Sequence, residues 1–172
     1  DGVKDGLMED PRACKVDVAT LTGLSETQKG ALKTIYGETK NKDGAIYPAQ
    51  PFGGEGTAGG WDAWIVGASP AMLKMQGAPS ARFAFGTEMF KYFIFHDPKW
   101  DYTRYDFTNF RKDTALAGTM LNATDPNLDA FQASGGKLLI WHGWSDPALT
   151  ALGSIKYHDE VHARDPKAGD YF

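Results

Sequence analysis

"KLLIWHGWSDPALTAL", residues 137–152, decides how this chain is read. After the break at Gly135-Gly136, the run KLLIW is apolar beyond its lysine, the pattern of a strand buried on both faces of a parallel sheet. A helix is expected to follow, opened by Pro147, with Leu149, Leu152 and Ile155 as its inner face. Strand, short turn and helix make half of a βαβ unit. Such a strand needs neighbours on both sides, and no other stretch reads as a parallel strand. The sheet partners are therefore expected outside these residues.

Asp146 admits two readings. Functional groups of doubly wound α/β proteins gather at the carboxyl ends of strands, where Asp146 lies four residues past His142. An Asp just before a proline is equally a common helix N-cap. Ser145 is not a nucleophile elbow, because G-x-S-x-G needs glycine where the chain has Pro147. None of Ser25, Ser69, Ser80, Ser134 and Ser154 stands in that motif either. Among the four histidines, His142 can orient the turn by hydrogen bonding. His158 and His162 form an i, i+4 pair that zinc could use, but H-E-x-x-H is absent and a solvated helix face is the better reading.

Working outward, 172 residues with 42% apolar and 13% aromatic content suffice for one ordinary domain. A net charge of -4 with scattered Lys and Arg argues against a nucleic-acid partner. No apolar run approaches the roughly 20 residues a membrane-spanning helix needs, so no membrane partner is expected. Ser25 and Gln28 make a capping box for a helix ending at Gly37. The glycines and prolines from Asp43-Gly44 to Gly60 indicate an ordered loop. A second helix is expected from Thr87, as cap, through EMFKYFIF, and a short one with Asp125 as cap, Pro126 first and Gly135 as terminator. Aromatic residues crowd between Phe83 and Phe110; most must pack on one another, and a few could line a pocket for a flat ligand. The chain divides near residue 134 into a helical, loop-rich, aromatic segment and one α/β step.

The opening DGVKDGLMED spaces Asp1 and Asp5 four apart, with Gly2 and Gly6 permitting a tight loop. Carboxylates and inward-turned carbonyls suit calcium, whereas a solvated acidic turn accounts for two carboxylates as well. Cys14 is the only cysteine, by default a free thiol. The abrupt start at DGVKDG and stop at AGDYF read as a piece of something longer.

Together, DGVKDGLMEDPRAC and GGKLLIWHGWSDPALTALGSIKYH resemble the tannase and feruloyl esterase family of α/β-hydrolases. IYPAQPFGGE, GWDAWIVG and FKYFIFHDPKWDY extend the likeness to the lid of its bacterial-type members, since VATLTGLSETQ lacks the cysteine pair of the fungal lid. The resemblance implies an α/β-hydrolase fold fragment: a mostly helical, loop-rich lid domain over residues 1–133 with a calcium loop at its start, then one parallel β-strand and helix of the core over residues 134–172. It implies a serine carboxylesterase acting on feruloyl, galloyl or related phenolic esters, with Asp146 as the triad acid. The nucleophilic serine, the catalytic histidine and the remainder of the hydrolase domain would lie outside residues 1–172, so this chain alone would be inactive. Structural calcium would take the side chains of Asp1 and Asp5 and the carbonyls of Val3 and Leu7, with no organic cofactor. Cys14 would be half of a disulfide whose partner precedes the chain, pointing to a secreted or periplasmic setting. Trp64, Phe83, Phe85 and Phe90 are the candidate walls of the aromatic ester pocket, against the alternative that they are lid core. A rival reading is a calcium-stabilised, aromatic-rich binding module without turnover.

Overall fold

In the computed structural model, residues 4–67 and 78–172 are described. Helix α1 (Glu26–Tyr36) starts where local chemistry dictates: Ser25 accepts from the backbone of Gln28, and the Gln28 side chain accepts from the Ser25 N–H. Gly37 ends it. An antiparallel hairpin follows, β1 (Thr39–Asn41) and β2 (Gly44–Tyr47), turning at Asp43-Gly44 where Gly44 holds φ +109°. The loop expectation for this region thus omitted a hairpin, whose short strands offer too little alternation to read. Asn41 and Arg111 tie it to the aromatic segment through the carbonyls of Phe107 and Ala45.

The one-turn helix α2 (Trp61–Trp64) buries Trp61 and Ala63. Helix α3 (Ala81–Glu88) begins earlier than expected, because Ser80 is its cap and accepts from Phe83 N. Thr87 is instead buried within it and donates its hydroxyl to the Phe83 carbonyl. The chain then widens into a π-helical turn over Met89–Ile94, which carries Phe90 into a cluster with Phe95, Trp100, Tyr105 and Phe110 at centroid separations of 5.0–6.3 Å. Helices α4 (Phe110–Asp113) and α5 (Ala115–Leu121) follow. Helix α6 (Asp129–Ala133) starts later than the sequence suggests, since Asp125 closes its own turn onto Asn127 N rather than capping a helix.

Residues 136–143 form neither helix nor strand and have no ladder partner among the described residues. Leu139 and Trp141 are 86% and 87% exposed, so the apolar run predicted as a buried strand lies bare on alternate side chains. Within this run Leu138 N donates to the carbonyl of Tyr171. Helix α7 (Ala151–Arg164) begins four residues past the expected start at Pro147, with Thr150 as its cap; Leu149 is exposed while Leu152 and Ile155 are half-buried. Val161, Ala168 and Tyr171 pack with Leu128, Tyr157 and Phe172 at its far end, where Arg164 holds Asp129 through two hydrogen bonds. The accessible surface is 11867 Å², against about 8,300 Å² for a compact chain of this mass.

Candidate active site

Asp146 is the pivot of the turn between residues 143 and 150. Asp146 N donates to the Gly143 carbonyl, and Asp146 Oδ1 accepts from Ala148 N and Leu149 N at 2.8 and 3.0 Å. Asp146 therefore caps a turn over Pro147–Leu149 and not helix α7 itself. The helix cap is Thr150, whose Oγ1 accepts from Leu152 N.

Side chains from the helical segment clamp this turn from outside. Gln50, 5% exposed, donates Nε2 to the Asp146 carbonyl at 3.0 Å and accepts from Arg82 at 2.8 Å, while Arg82 Nε donates to the Pro147 carbonyl. Thr150 donates its hydroxyl to the Ala49 carbonyl and its N–H to the Tyr47 hydroxyl. Gly54, at φ +78°, lies against Ser145 so closely that a Cβ there would stand 2.6 Å from Ser145 Oγ. Tyr47, Gln50 and Arg82 were not legible as site residues, because their partners are 65 to 103 positions away.

On its other side Asp146 meets His142. His142 Nε2 is 3.4 Å from Asp146 Oδ2, and Nδ1 is 2.8 Å from Ser154 Oγ on α7. His142 and Ser154 border a cavity of about 270 Å³ lined also by Ile140, Trp144 and Phe172. Burial pushes the Asp146 carboxyl up, but the N–H groups of Leu149 and Ala148 and the nearby imidazole outweigh it and hold the pKa below the ordinary range. The carboxylate is thus fixed through one oxygen, lightly held at the other, and 35% exposed. An anion presented this way can orient an imidazole and stabilise its charged form.

The four aromatic candidates fall into separate groups. Trp64 and Phe85 stack at 5.6 Å and 7°, with Phe85 56% exposed. Phe83 meets Tyr102 edge-on, and Phe90 belongs to the aromatic cluster described above. His158 and His162 lie ring against ring at 4.2 Å beside Phe172, and His158 also contacts Asp159. Among the described residues, no group of three His, Cys, Asp or Glu could hold a metal ion.

Of the calcium loop, Asp1 and Val3 lie outside the described residues. Asp5 Oδ1 accepts from Leu7 N across Gly6, which holds φ +80°. Such a turn is common to solvated acidic loops and to cation-binding ones. Cys14 is half-buried, as a thiol. Arg12 beside it is paired to Asp10 and lies over the Trp144 ring at 5.6 Å, linking this loop to the Asp146 turn.

Comparison with known proteins places this geometry in context. The family model "Tannase and feruloyl esterase" matches residues 1–169. Feruloyl esterase B of Aspergillus niger is 29% identical over 175 residues, covering 94% of this chain and 30% of that protein. An esterase of Xanthomonas campestris is 28% identical over 187 residues, covering 95% of this chain and 31% of its own length. The crystal structure of feruloyl esterase B from Aspergillus oryzae superposes with a TM-score of 0.72 at 22% identity, over 95% of this chain and 32% of that one. The chain thus has the fold of one part of that protein and spans about a third of the length of the relatives it matches.

Proposed function

Because the chain belongs to the tannase and feruloyl esterase family, we propose that it is the lid and acid-bearing part of a carboxylic ester hydrolase acting on feruloyl, galloyl or related phenolic esters. The carrying observation is the Asp146 carboxylate, anchored through Oδ1 by two backbone N–H groups, with Oδ2 3.4 Å from His142 Nε2 and the side chain 35% exposed. In this reading a serine and a histidine from outside residues 1–172 complete the site. The serine attacks the ester carbonyl, the histidine takes the hydroxyl proton and returns it to the leaving alcohol, and water then releases the acid. Asp146 holds the histidine in the tautomer whose other nitrogen is free to accept, and stabilises the imidazolium that forms. Trp64 and Phe85 are the best placed of the aromatic candidates to meet a planar acyl group, being stacked and partly exposed.

The bare apolar face at Leu139 and Trp141, with the large accessible surface, supports a core sheet supplied by further chain, and hence inactivity of residues 1–172 alone. Calcium bound by Asp1, Val3, Asp5 and Leu7 would brace the start of the lid, and a disulfide at Cys14 would fit a secreted or periplasmic setting.

The test is turnover of methyl ferulate, methyl gallate and a nitrophenyl ester by residues 1–172 and by the longer protein that contains them. The longer protein should turn over, Asp146→Ala should lower its kcat by about 10⁴-fold, and the shorter chain should be inert. Turnover by the shorter chain that is abolished by Asp146→Ala would overturn the division of the triad, and unchanged activity of that variant in the longer protein would overturn the role of Asp146.

A further inference from the structure

His142 and Ser154 have no part in the mechanism above, yet they are aligned on the carboxylate it uses. Ser154 Oγ, His142 Nδ1, His142 Nε2 and Asp146 Oδ2 form a chain with gaps of 2.8 and 3.4 Å. This is not a second nucleophilic site. Ser154 lies within the first turns of α7, outside any strand-to-helix elbow, and its hydroxyl meets Nδ1 while the acid meets Nε2.

We infer that His142 is a positioning residue for Asp146: its Nε2–H donates to Oδ2, with the proton kept on that nitrogen by the Ser154 hydroxyl donating to Nδ1. The chemistry of the three groups favours this tautomer. A neutral ring protonated at Nδ1 would turn the Nε2 lone pair toward a carboxylate, which repels it. Asp146 Oδ1 already accepts two backbone N–H groups, so His142 fixes the remaining rotation of the carboxylate about its own axis. Two carboxylate oxygens offer about four acceptor directions, so Oδ2, on a side chain 35% exposed, can take His142 and still receive a catalytic histidine. At 3.4 Å the contact is loose, and it shortens as charge develops on that partner. A donor that orients an acid through its second oxygen plays the part that outer partners play behind metal-bound histidines.

This inference rests on Asp146 being the triad acid, and the experiment separates the two. In the longer protein, kcat and KM for methyl ferulate are measured for His142→Leu, His142→Gln, Ser154→Ala and Asp146→Ala. His142→Leu keeps bulk without a donor and should lower kcat about 10-fold or more with KM within about 2-fold. His142→Gln, whose amide can reach Oδ2, should restore most of the loss, and Ser154→Ala should cost about 3-fold in kcat. A structural role alone would not make Gln better than Leu. Equal kcat for the Leu and Gln variants overturns the inference, and so does wild-type kcat for Leu. Should the Leu variant not fold, nitrogen NMR of the wild-type His142 ring decides: protonation at Nε2 is expected, and a neutral ring protonated at Nδ1 overturns it. Full activity of Asp146→Ala sinks the assignment of the acid itself, whereas an inactive Asp146→Ala beside a fully active His142→Leu sinks only the role of His142.

Discussion

The buried amide of Gln50 donates to the main-chain carbonyl of Asp146 across 96 residues of sequence, at 3.0 Å. Its carbonyl oxygen accepts from Arg82, which also reaches the Pro147 carbonyl, so one side chain ties the segment before α2 and helix α3 to the turn that carries Asp146. Gln50→Leu keeps the volume and removes both bonds. It removes the partners of the Asp146 carbonyl and of Arg82 Nη2, while Arg82 Nε keeps the Pro147 carbonyl, at a cost of about 1–3 kcal/mol. Urea unfolding should show a lower midpoint with an unchanged slope. In the longer protein kcat should fall more than KM rises, because the acid and not the substrate surface is displaced.

Gly54→Ala tests the same clamp from its other side. Gly54 sits at φ +78°, and an added methyl would press on Ser145 Cβ and Oγ, next to Asp146 in sequence. Left-handed backbone strain and the clash together should destabilise by about 1–3 kcal/mol. Gly56→Ala, where no atom lies within 4 Å of the new Cβ, is the control and should unfold at nearly the wild-type midpoint.

Thr150→Val removes the cap of α7 and the hydroxyl bond to Ala49 while retaining the branched shape. Thr150 is 3% exposed, so the Ala49 carbonyl loses its partner in a place water reaches poorly. A loss of about 1–2 kcal/mol is expected. Thr150→Ser, which keeps both bonds, should recover most of it, and thermal unfolding of the pair checks this.

These clamps explain where reading the sequence succeeded and where it did not. Helix α1 was legible because its start and stop lie within its own residues: Ser25 and Gln28 satisfy each other, and Gly37 follows the last turn. Asp146 was legible as a helix N-cap candidate, but its cap belongs to a turn, since Thr150 offers a hydroxyl nearer the helix. The strand at residues 137–141 was read from its apolar run, and such a run becomes a strand only with neighbours to bond. Helix α3 was placed too late because the aromatic pattern around Phe90 belongs to a π-helical turn, whose period differs from that of the α-helix before it. Gln50 and Arg82 carry no motif, and only the fold reveals them.

The loop before α2 gives the pH dependence. Glu55 Oε1 accepts from the Tyr36 hydroxyl at 2.6 Å and from Gly53 N at 2.8 Å. Burial raises the Glu55 pKa, but these two bonds outweigh it and leave the carboxyl below its ordinary range. Tyr36 moves the opposite way, raised by burial first and then by its bond to the Glu55 carboxylate. For Glu55 the folded pKa is depressed, so its contribution is present above the unfolded value of about 4.3 and is lost as pH falls below it. For Tyr36 the folded pKa is raised, so stability is full below about 10 and declines as pH rises beyond it, where only the unfolded phenol ionises. Tyr36→Phe removes the share of the alkaline decline that Tyr36 contributes beside Tyr105 and Tyr171, whose phenols are also raised, and shrinks the acid decline, because Glu55 loses the Tyr36 hydroxyl. The unfolding midpoint of both proteins, followed from about pH 3 to about pH 11, roughly one unit beyond the ordinary values for Glu and Tyr, should therefore converge with rising alkalinity and also at the acid end. Parallel curves for wild type and Tyr36→Phe across that range would show that the pair contributes nothing to the pH dependence.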